Sequence, residues 1–546
     1  MPRPKANDLT IILLCALFFT SIGSIAFWQN TLVQLSLQGG SQILFLLSVS
    51  VFIFCFINIL LSCLLCFPIL KPLLFILLGI SAAANYFSVN YGVYIDRSMI
   101  QNVMGTSLGE AESLLTPSFF LWCLLFGLLP ILFFTWIKIN PQPLLKKTGL
   151  RLLNVILSAL ILVIVALPLY KEYASFFRNN KEIVKLITPS NYLAALYSYT
   201  VQQIEGNKPL IPIGLDAQLA KTAPDKKPKL VIFVVGETAR ANNFSLFGYE
   251  RKTNPELEQL QQQEHLLVFQ NTSSCGTSTA VSVPCMFSKL TRKEFSTGKA
   301  SRQENVLDIL NRAGVNVYWR ENNTGCQGVC LRILSDIISF YHPKTECPDG
   351  FCLDENLLDG LDTYIATHQN QNIFIVLHTI GSHGPAYYKR YPKDNAPFTP
   401  SCDTNQIQTC TTEQLVNTYD NTITYTDHML AKTIEYLKQH ETNFQTAMVY
   451  VSDHGESLGE SGIYLHSTPY AIAPEMQTHV PMIVWGSKPF FESSGLDYAC
   501  LQNTAQNDAY SHDYIFSSIL SLMDVKTSEY KAELDIFSKC KIQSSL

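Results

Sequence analysis

The sequence predicts a membrane-anchored α/β protein, with five transmembrane helices followed by an α/β sandwich outside the cytoplasm. Three observations predict it. Roughly the first third of the 546 residues is nearly free of charge, while the remainder has an ordinary globular composition. Short continuous apolar runs then alternate with helical stretches, the pattern of strands buried on both faces of a sheet. Ten of the 15 cysteines lie in that second part, as expected in an oxidising compartment. A net charge of −5 without a basic tract speaks against nucleic-acid binding. We divide the chain into a transmembrane domain (1–170), amphipathic bridging helices with a linker (171–215) and an α/β domain (216–546).

The apolar runs at 10–28, 43–66, 73–87, 119–137 and 152–170 approach the ~20 residues that cross a bilayer. The third is the shortest and is interrupted by Gly79. The first carries no small-residue cleavage site, so it reads as an anchor and not as a removable signal. Arg3, Lys5, Lys71, Lys138, Lys146, Lys147 and Arg151 fall on one set of connections, and Arg97 alone on the other. The excess of positive charge places the N-terminus in the cytoplasm, and an odd number of spans places everything after residue 170 on the opposite side.

Cys15, Cys55, Cys63, Cys66 and Cys123 lie in or beside spans and read as small apolar core residues. The other ten suggest sequence-local disulfides, Cys275–Cys285, Cys326–Cys330, Cys347–Cys352 and Cys402–Cys410, with Cys500–Cys540 as the remainder. A rival reading makes Cys326, Cys330, Cys347 and Cys352 a zinc site.

Between the third and fourth spans, Asn102, Thr106 and Glu110 recur every fourth residue, so a helix aligns them on one polar face. Alone they read as a solvated face; beneath a catalytic domain they suit a lipid headgroup. The stretch 171–210 is amphipathic and reads as helices at the membrane surface. A linker rich in proline and lysine follows at 207–228.

Strands are expected at 230–235, 317–319, 373–377, 447–451 and 482–485, with helices at 305–313 and 412–439. Three of these strands run into polar sets: Gly236-Glu237-Thr238-Ala239-Arg240, His378 to Pro385, and Ser452-Asp453-His454-Gly455-Glu456. Ligands of open α/β sheets gather beyond the carboxyl ends of the strands. Glu237, Asp453 and His454 are therefore expected to converge, as a carboxylate–carboxylate–imidazole set suited to zinc or manganese. His466 adds a further imidazole. In Cys275-Gly276-Thr277-Ser278-Thr279-Ala280, small hydroxylated residues precede a helix expected to open at Ala280. A hydroxyl there lies beside unpaired N–H groups that favour negative charge, a setting for a nucleophile once a metal or base takes its proton. The plainer reading makes Ser278 or Thr279 an ordinary helix cap.

Together, the Gly236–Arg240 set, 274–280 with Pro284-Cys285-Met286, Ser382-His383-Gly384-Pro385 and the Ser452–Glu456 set resemble the phosphoethanolamine transferases of Gram-negative envelopes. The chain is most similar to the lipid A enzymes, the group that includes the mobile colistin-resistance proteins, and the resemblance covers nearly its whole length. It implies an alkaline-phosphatase/sulfatase-like α/β/α fold in the periplasm, anchored in the inner membrane. It implies one tightly bound zinc, held by Glu237, Thr279, Asp453 and His454, with Thr279 as nucleophile. His383 and His466 would bind substrate phosphate or a second zinc, and Asn102, Thr106 and Glu110 would bind phosphoethanolamine. Gln327 stands where the family often has lysine and supplies no cation to a phosphate.

The implied reaction transfers phosphoethanolamine from phosphatidylethanolamine to lipid A through a phosphothreonine-type intermediate. It lowers outer-membrane negative charge and confers polymyxin resistance. The expected protein is a monomer among inner-membrane lipids, with no nucleic-acid partner. The alternatives are transfer to a core sugar or periplasmic glycan, a glycerophosphate transferase, and a non-catalytic tethered binding protein. A sulfatase would need a cysteine or serine in C/S-x-P-x-R, which the nucleophile stretch lacks. A binding protein predicts loss of a ligand or the nucleophile, yet all four positions are filled.

Overall fold

Apolar runs of bilayer length must satisfy their backbone internally, and the helix does so within one segment. A computed structural model of the chain describes residues 3–35, 40–65, 70–106, 111–112, 114–206, 209–220, 226–342, 346–347 and 351–542. Among these, five helices are long and apolar enough to cross a membrane: Asp8–Leu35, Gln42–Leu64, Leu70–Tyr91, Pro117–Trp136 and Leu144–Ala166. The third is a full 22 residues, which corrects the short, interrupted span read from the sequence. Gly79 faces open space on a continuous helix. The helix runs past Phe87 because polar residues there are satisfied locally, Asn90 Nδ2 donating to the Tyr86 carbonyl at 2.9 Å. Polar side chains also join spans: Asn58 Nδ2 donates to Asn154 Oδ1 at 3.1 Å and to Ser158 Oγ at 2.9 Å, bonds for which lipid offers no competitor.

The chain forms two units, Met1–Ile100 with Leu115–Tyr199, and Gln101–Leu114 with Thr200–Leu546. The amphipathic stretch folds as helices Tyr170–Asn179 and Ser190–Gly206, joined by the 3-10 segment Lys181–Leu186.

The second unit is built on seven strands: β1 (Lys229–Gly236), β2 (Leu266–Phe269), β3 (Asn316–Glu321), β4 (Leu334–Ile337), β5 (Ile373–His378), β6 (Gln445–Ser452) and β7 (Met482–Gly486). Their order is β2-β7-β6-β1-β5-β3-β4. Pairing is parallel from β6 through β4, whereas β7 runs antiparallel to both β6 and β2. β1, β5 and β6 are buried along their whole length. Two strands were not read from the sequence: β2 is only four residues long, and β4 is an edge strand with three of its four residues exposed, so it carries no apolar signal.

Helices follow their caps. Helix α1 (Thr279–Met286) opens one residue earlier than expected. Helix α2 (Val306–Arg312) has a capping box of Asn305 and Asp308, and α3 (Thr412–Gln439) one of Thr411 and Gln414. Disulfides join Cys275–Cys285, Cys326–Cys330, Cys347–Cys352, Cys402–Cys410 and Cys500–Cys540. The four cysteines of the rival zinc reading are thus consumed in two of these bonds.

Candidate active site and metal centre

The sheet register creates the site. Ser452 at the end of β6 pairs with Gly236 at the end of β1, so the next residues, Asp453 and Glu237, leave adjacent strands at one level. Both are fully buried, as is His454. Asp453 Oδ1 accepts the backbone N–H groups of Thr238 at 3.1 Å and His454 at 2.7 Å. To present that N–H, Thr238 adopts a left-handed φ of 58°, which a β-branched residue holds only where its surroundings impose it.

Asp453 Oδ2 is left buried with no hydrogen-bond partner. His454 Nδ1–H donates to the Gly455 carbonyl at 2.9 Å, which leaves the Nε2 lone pair facing Asp453 Oδ2 at 3.3 Å and Glu237 Oε1 at 3.5 Å. Burial, reinforced by the Glu237 carboxylate, pushes Asp453 well above the ordinary carboxyl range. Burial also lowers His454 to about 4, so it is a neutral ligand at pH 7. Two dry carboxylates in contact cannot both ionise without a cation. Among the described residues, Glu237, Asp453 and His454 bring ligand atoms within 4.8 Å of one another. This oxygen–oxygen–nitrogen set, with an orphaned carboxylate oxygen, fits zinc.

Thr279 is the first residue of α1. Its Oγ1 lies 3.1 and 3.3 Å from the two Glu237 oxygens and 3.4 Å from His454 Nε2. Ser278 occupies the cap position without a side-chain capping bond, so the plain capping reading does not describe this turn. Gly276 is required, because a Cβ there would meet Val281 Cγ1 at 2.7 Å. Pro284 has no N–H to give the Ala280 carbonyl four residues back; Gln101 Nε2 takes that carbonyl instead, at 3.1 Å.

His383 and His466 line a small cavity of about 40 Å³ with Thr279, Asn102, Thr106 and Gln327. His466 Nδ1 donates to Glu456 Oε2 at 3.1 Å, and Glu456 also accepts from Tyr387 Oη at 2.8 Å. Asn102 Nδ2 donates to Ser467 Oγ at 2.8 Å, and Thr106 Oγ1 to the Asn102 carbonyl at 2.8 Å. Glu110 lies outside the described residues. Gln327 has a left-handed φ of 51° within the Cys326–Cys330 loop. Arg332, a basic residue five positions after Gln327, is committed to Asp308 at 2.6 and 2.7 Å and does not stand in for the lysine.

Three contributors escaped the sequence reading. Asn323 Nδ2 donates to Glu237 Oε2 at 2.7 Å; it follows β3, so the strand-end rule would have found it. Asp354 Oδ1 and Oδ2 accept the N–H groups of Ile380 and Gly381 at 2.8 and 2.9 Å, fixing the turn before His383. His512 braces the nucleophile loop from a distant segment, with no local signal.

Five apolar helices and a mixed sheet carrying a buried metal-ligand set and a helix-opening threonine at its carboxyl edge define the class: a membrane-anchored protein of the sulfatase fold. Residues 229–525 match the Sulfatase family, and residues 53–204 match the domain described as phosphoethanolamine transferase EptA/EptB. The chain is 47% identical over 545 residues to phosphoethanolamine transferase EptA of Escherichia coli K12, covering 99% of this chain and 98% of that protein. It is 36% identical over 541 residues to phosphatidylethanolamine transferase Mcr-1 of E. coli, covering 97% of each. The structure of the integral membrane lipooligosaccharide phosphoethanolamine transferase A from Neisseria meningitidis aligns at a TM-score of 0.95 and 38% identity, over 99% of this chain and 100% of that one. The chain belongs to the phosphoethanolamine transferase family. It is a multi-pass inner-membrane protein whose sulfatase-like unit is periplasmic.

Proposed function

We propose that this chain transfers phosphoethanolamine from phosphatidylethanolamine to a phosphate of lipid A, through a covalent intermediate on Thr279. The position of Thr279 carries this reading: its hydroxyl opens α1 beside Glu237 and His454. The names of the relatives, phosphatidylethanolamine transferase and lipooligosaccharide phosphoethanolamine transferase, support the donor and the acceptor class.

In the first half-reaction, Thr279 Oγ1 bonds to the donor phosphorus as the phosphorus–oxygen bond to diacylglycerol breaks. The Thr279 proton passes through His466 to the departing diacylglycerol oxygen. Glu456 holds His466 Nδ1, which leaves Nε2 to exchange that proton. In the second half-reaction, an oxygen of the acceptor's monohydrogen phosphate attacks the same phosphorus as the bond to Thr279 breaks, and the proton that phosphate gives up passes through His466 to Thr279 Oγ1. Zinc held by Glu237, Asp453, His454 and Thr279 would acidify the hydroxyl and offset charge on the phosphoryl oxygens. Asn323 and Asp354 keep Glu237 and the His383 turn in place. Two sequential transfers let two lipids use one site in turn, and a lipid A so modified carries less net negative charge, the basis of polymyxin resistance.

Incubation of the purified protein with phosphatidylethanolamine alone should release diacylglycerol and add one phosphoethanolamine to the Thr279 peptide, read by tandem mass spectrometry. Lipid A from expressing cells should gain the same mass. A modification found only on a core sugar would assign the acceptor elsewhere, and an adduct on Ser278 would displace Thr279.

A further inference from the structure

A second pocket adjoins the cavity at Thr279. Gln101 and Gln327 line both, so the two are neighbours that meet at these side chains. This pocket holds about 210 Å³, room for roughly seven waters at about 30 Å³ each, whereas the Thr279 cavity admits little more than a phosphoryl group.

Its lining is mixed, with Pro284, Ala300, Val329 and Leu331 among polar side chains, a wall that suits the apolar faces and polar rim of a sugar ring, and it is uncharged in effect. Glu304 is held by Arg312 Nη2 at 2.6 and 2.8 Å and by the Ile213 N–H at 3.1 Å. Arg332 is held by Asp308. Neither charge remains for a phosphate. What the walls offer are the carboxamides of Gln101, Gln203, Gln303 and Gln327, groups that both donate and accept. Gln303 Oε1 is buried without a hydrogen-bond partner, an acceptor that a ligand hydroxyl or N–H would satisfy.

We infer that this pocket receives a sugar ring of the acceptor, its hydroxyl and amide groups bonding the glutamines while the ring's phosphate reaches Thr279. The inference rests on the transfer reading above and adds to it a subsite for the acceptor alone. An acyl chain would leave the carboxamides unsatisfied, and a free phosphate would find no uncommitted cation among the described lining residues.

The test separates the half-reactions of the full-length protein in phospholipid nanodiscs. Ser301→Tyr fills the pocket from its exposed rim, and Gln303→Leu removes the orphaned acceptor at similar volume. Diacylglycerol release from phosphatidylethanolamine without acceptor should stay within about two-fold of the parent, because neither residue lines the Thr279 cavity. The KM for lipid A should rise roughly ten-fold in each variant, since unpaired polar groups discriminate strongly, while the KM for phosphatidylethanolamine is unchanged. Gln303→Leu carries the test where tyrosine is not accommodated. An unchanged KM for lipid A, or a raised KM for phosphatidylethanolamine, would overturn the assignment. Failure of the parent protein to release diacylglycerol would instead overturn the transfer reading, and this subsite with it.

Discussion

His512 Nδ1 accepts the backbone N–H of Cys275 at 3.1 Å, and its Nε2–H donates to the Ser452 carbonyl at 3.0 Å. One buried imidazole thus ties the loop that carries Thr279 to the strand end that carries Asp453. Both bonds require the neutral tautomer, and burial lowers the His512 pKa to about 3.

Stability should therefore depend on pH through His512. Between pH 3 and the unfolded value near ~6.5, the unfolded chain binds a proton that the folded chain does not, so stability rises with pH across that window and levels off above it. The slope from one such group approaches about 1.4 kcal/mol per pH unit. His512→Gln should flatten the dependence of Tm on pH between pH 4 and 6.5. A variant with the parent slope would show that another group sets the acid limb.

Thr279→Ala should abolish both diacylglycerol release and transfer with little change in Tm, since the hydroxyl's structural worth is that of a cap-like bond, about 1 kcal/mol. Thr279→Ser should retain part of the activity, because a hydroxyl persists. Normal turnover by the alanine variant would remove Thr279 from the reaction.

Asp453→Asn should cut the zinc content of the purified protein, measured by plasma mass spectrometry, because the orphaned oxygen becomes a weaker ligand. Without metal, Asp453 is held protonated beside Glu237, and a neutral asparagine keeps the oxygen that accepts the Thr238 and His454 N–H groups, so the metal-free variant should melt close to the metal-free parent. Chelator should lower Tm in the parent, as any ligand of the native state stabilises it, and leave the variant unmoved. Equal zinc contents would argue against this metal centre.

The Cys275–Cys285 bond closes a ten-residue separation across the nucleophile loop and α1. Replacing both cysteines with serine should cost about 2–3 kcal/mol on chain-entropy grounds and should lower transfer more than Cys402→Ser/Cys410→Ser, whose bond closes a segment that does not contain Thr279. Denaturant melts and transfer assays of the two pairs make the comparison.

Gln327→Lys should lower the KM for phosphatidylethanolamine several-fold, since Arg332 is spent on Asp308 and a cation on the cavity wall attracts the donor phosphate. No change, or a loss, would show that the cavity already neutralises that charge.

The sequence by itself determined the five spans, though not the full length of the third, the side of the membrane, the strands β1, β3, β5, β6 and β7, and the polar sets that follow β1, β5 and β6. These are local properties: hydropathy over a span, an apolar run of strand length, a carboxylate or imidazole at its end. It also marked Thr279, because the small-residue turn lies between two cysteines and repeats a family pattern. Only the tertiary structure decided which groups meet. The pairing of Ser452 with Gly236 sets Asp453 beside Glu237, and no spacing in the chain encodes that register. Gln101 caps the carbonyl that Pro284 orphans, from 179 residues away. His512 reaches Cys275 across 237 residues. The edge strand β4 is exposed and silent in hydropathy, and Arg332 is an ordinary basic residue until the fold brings it to Asp308. Hydropathy is written along the chain, whereas hydrogen-bond partners and charge compensation arise only once distant segments are packed together.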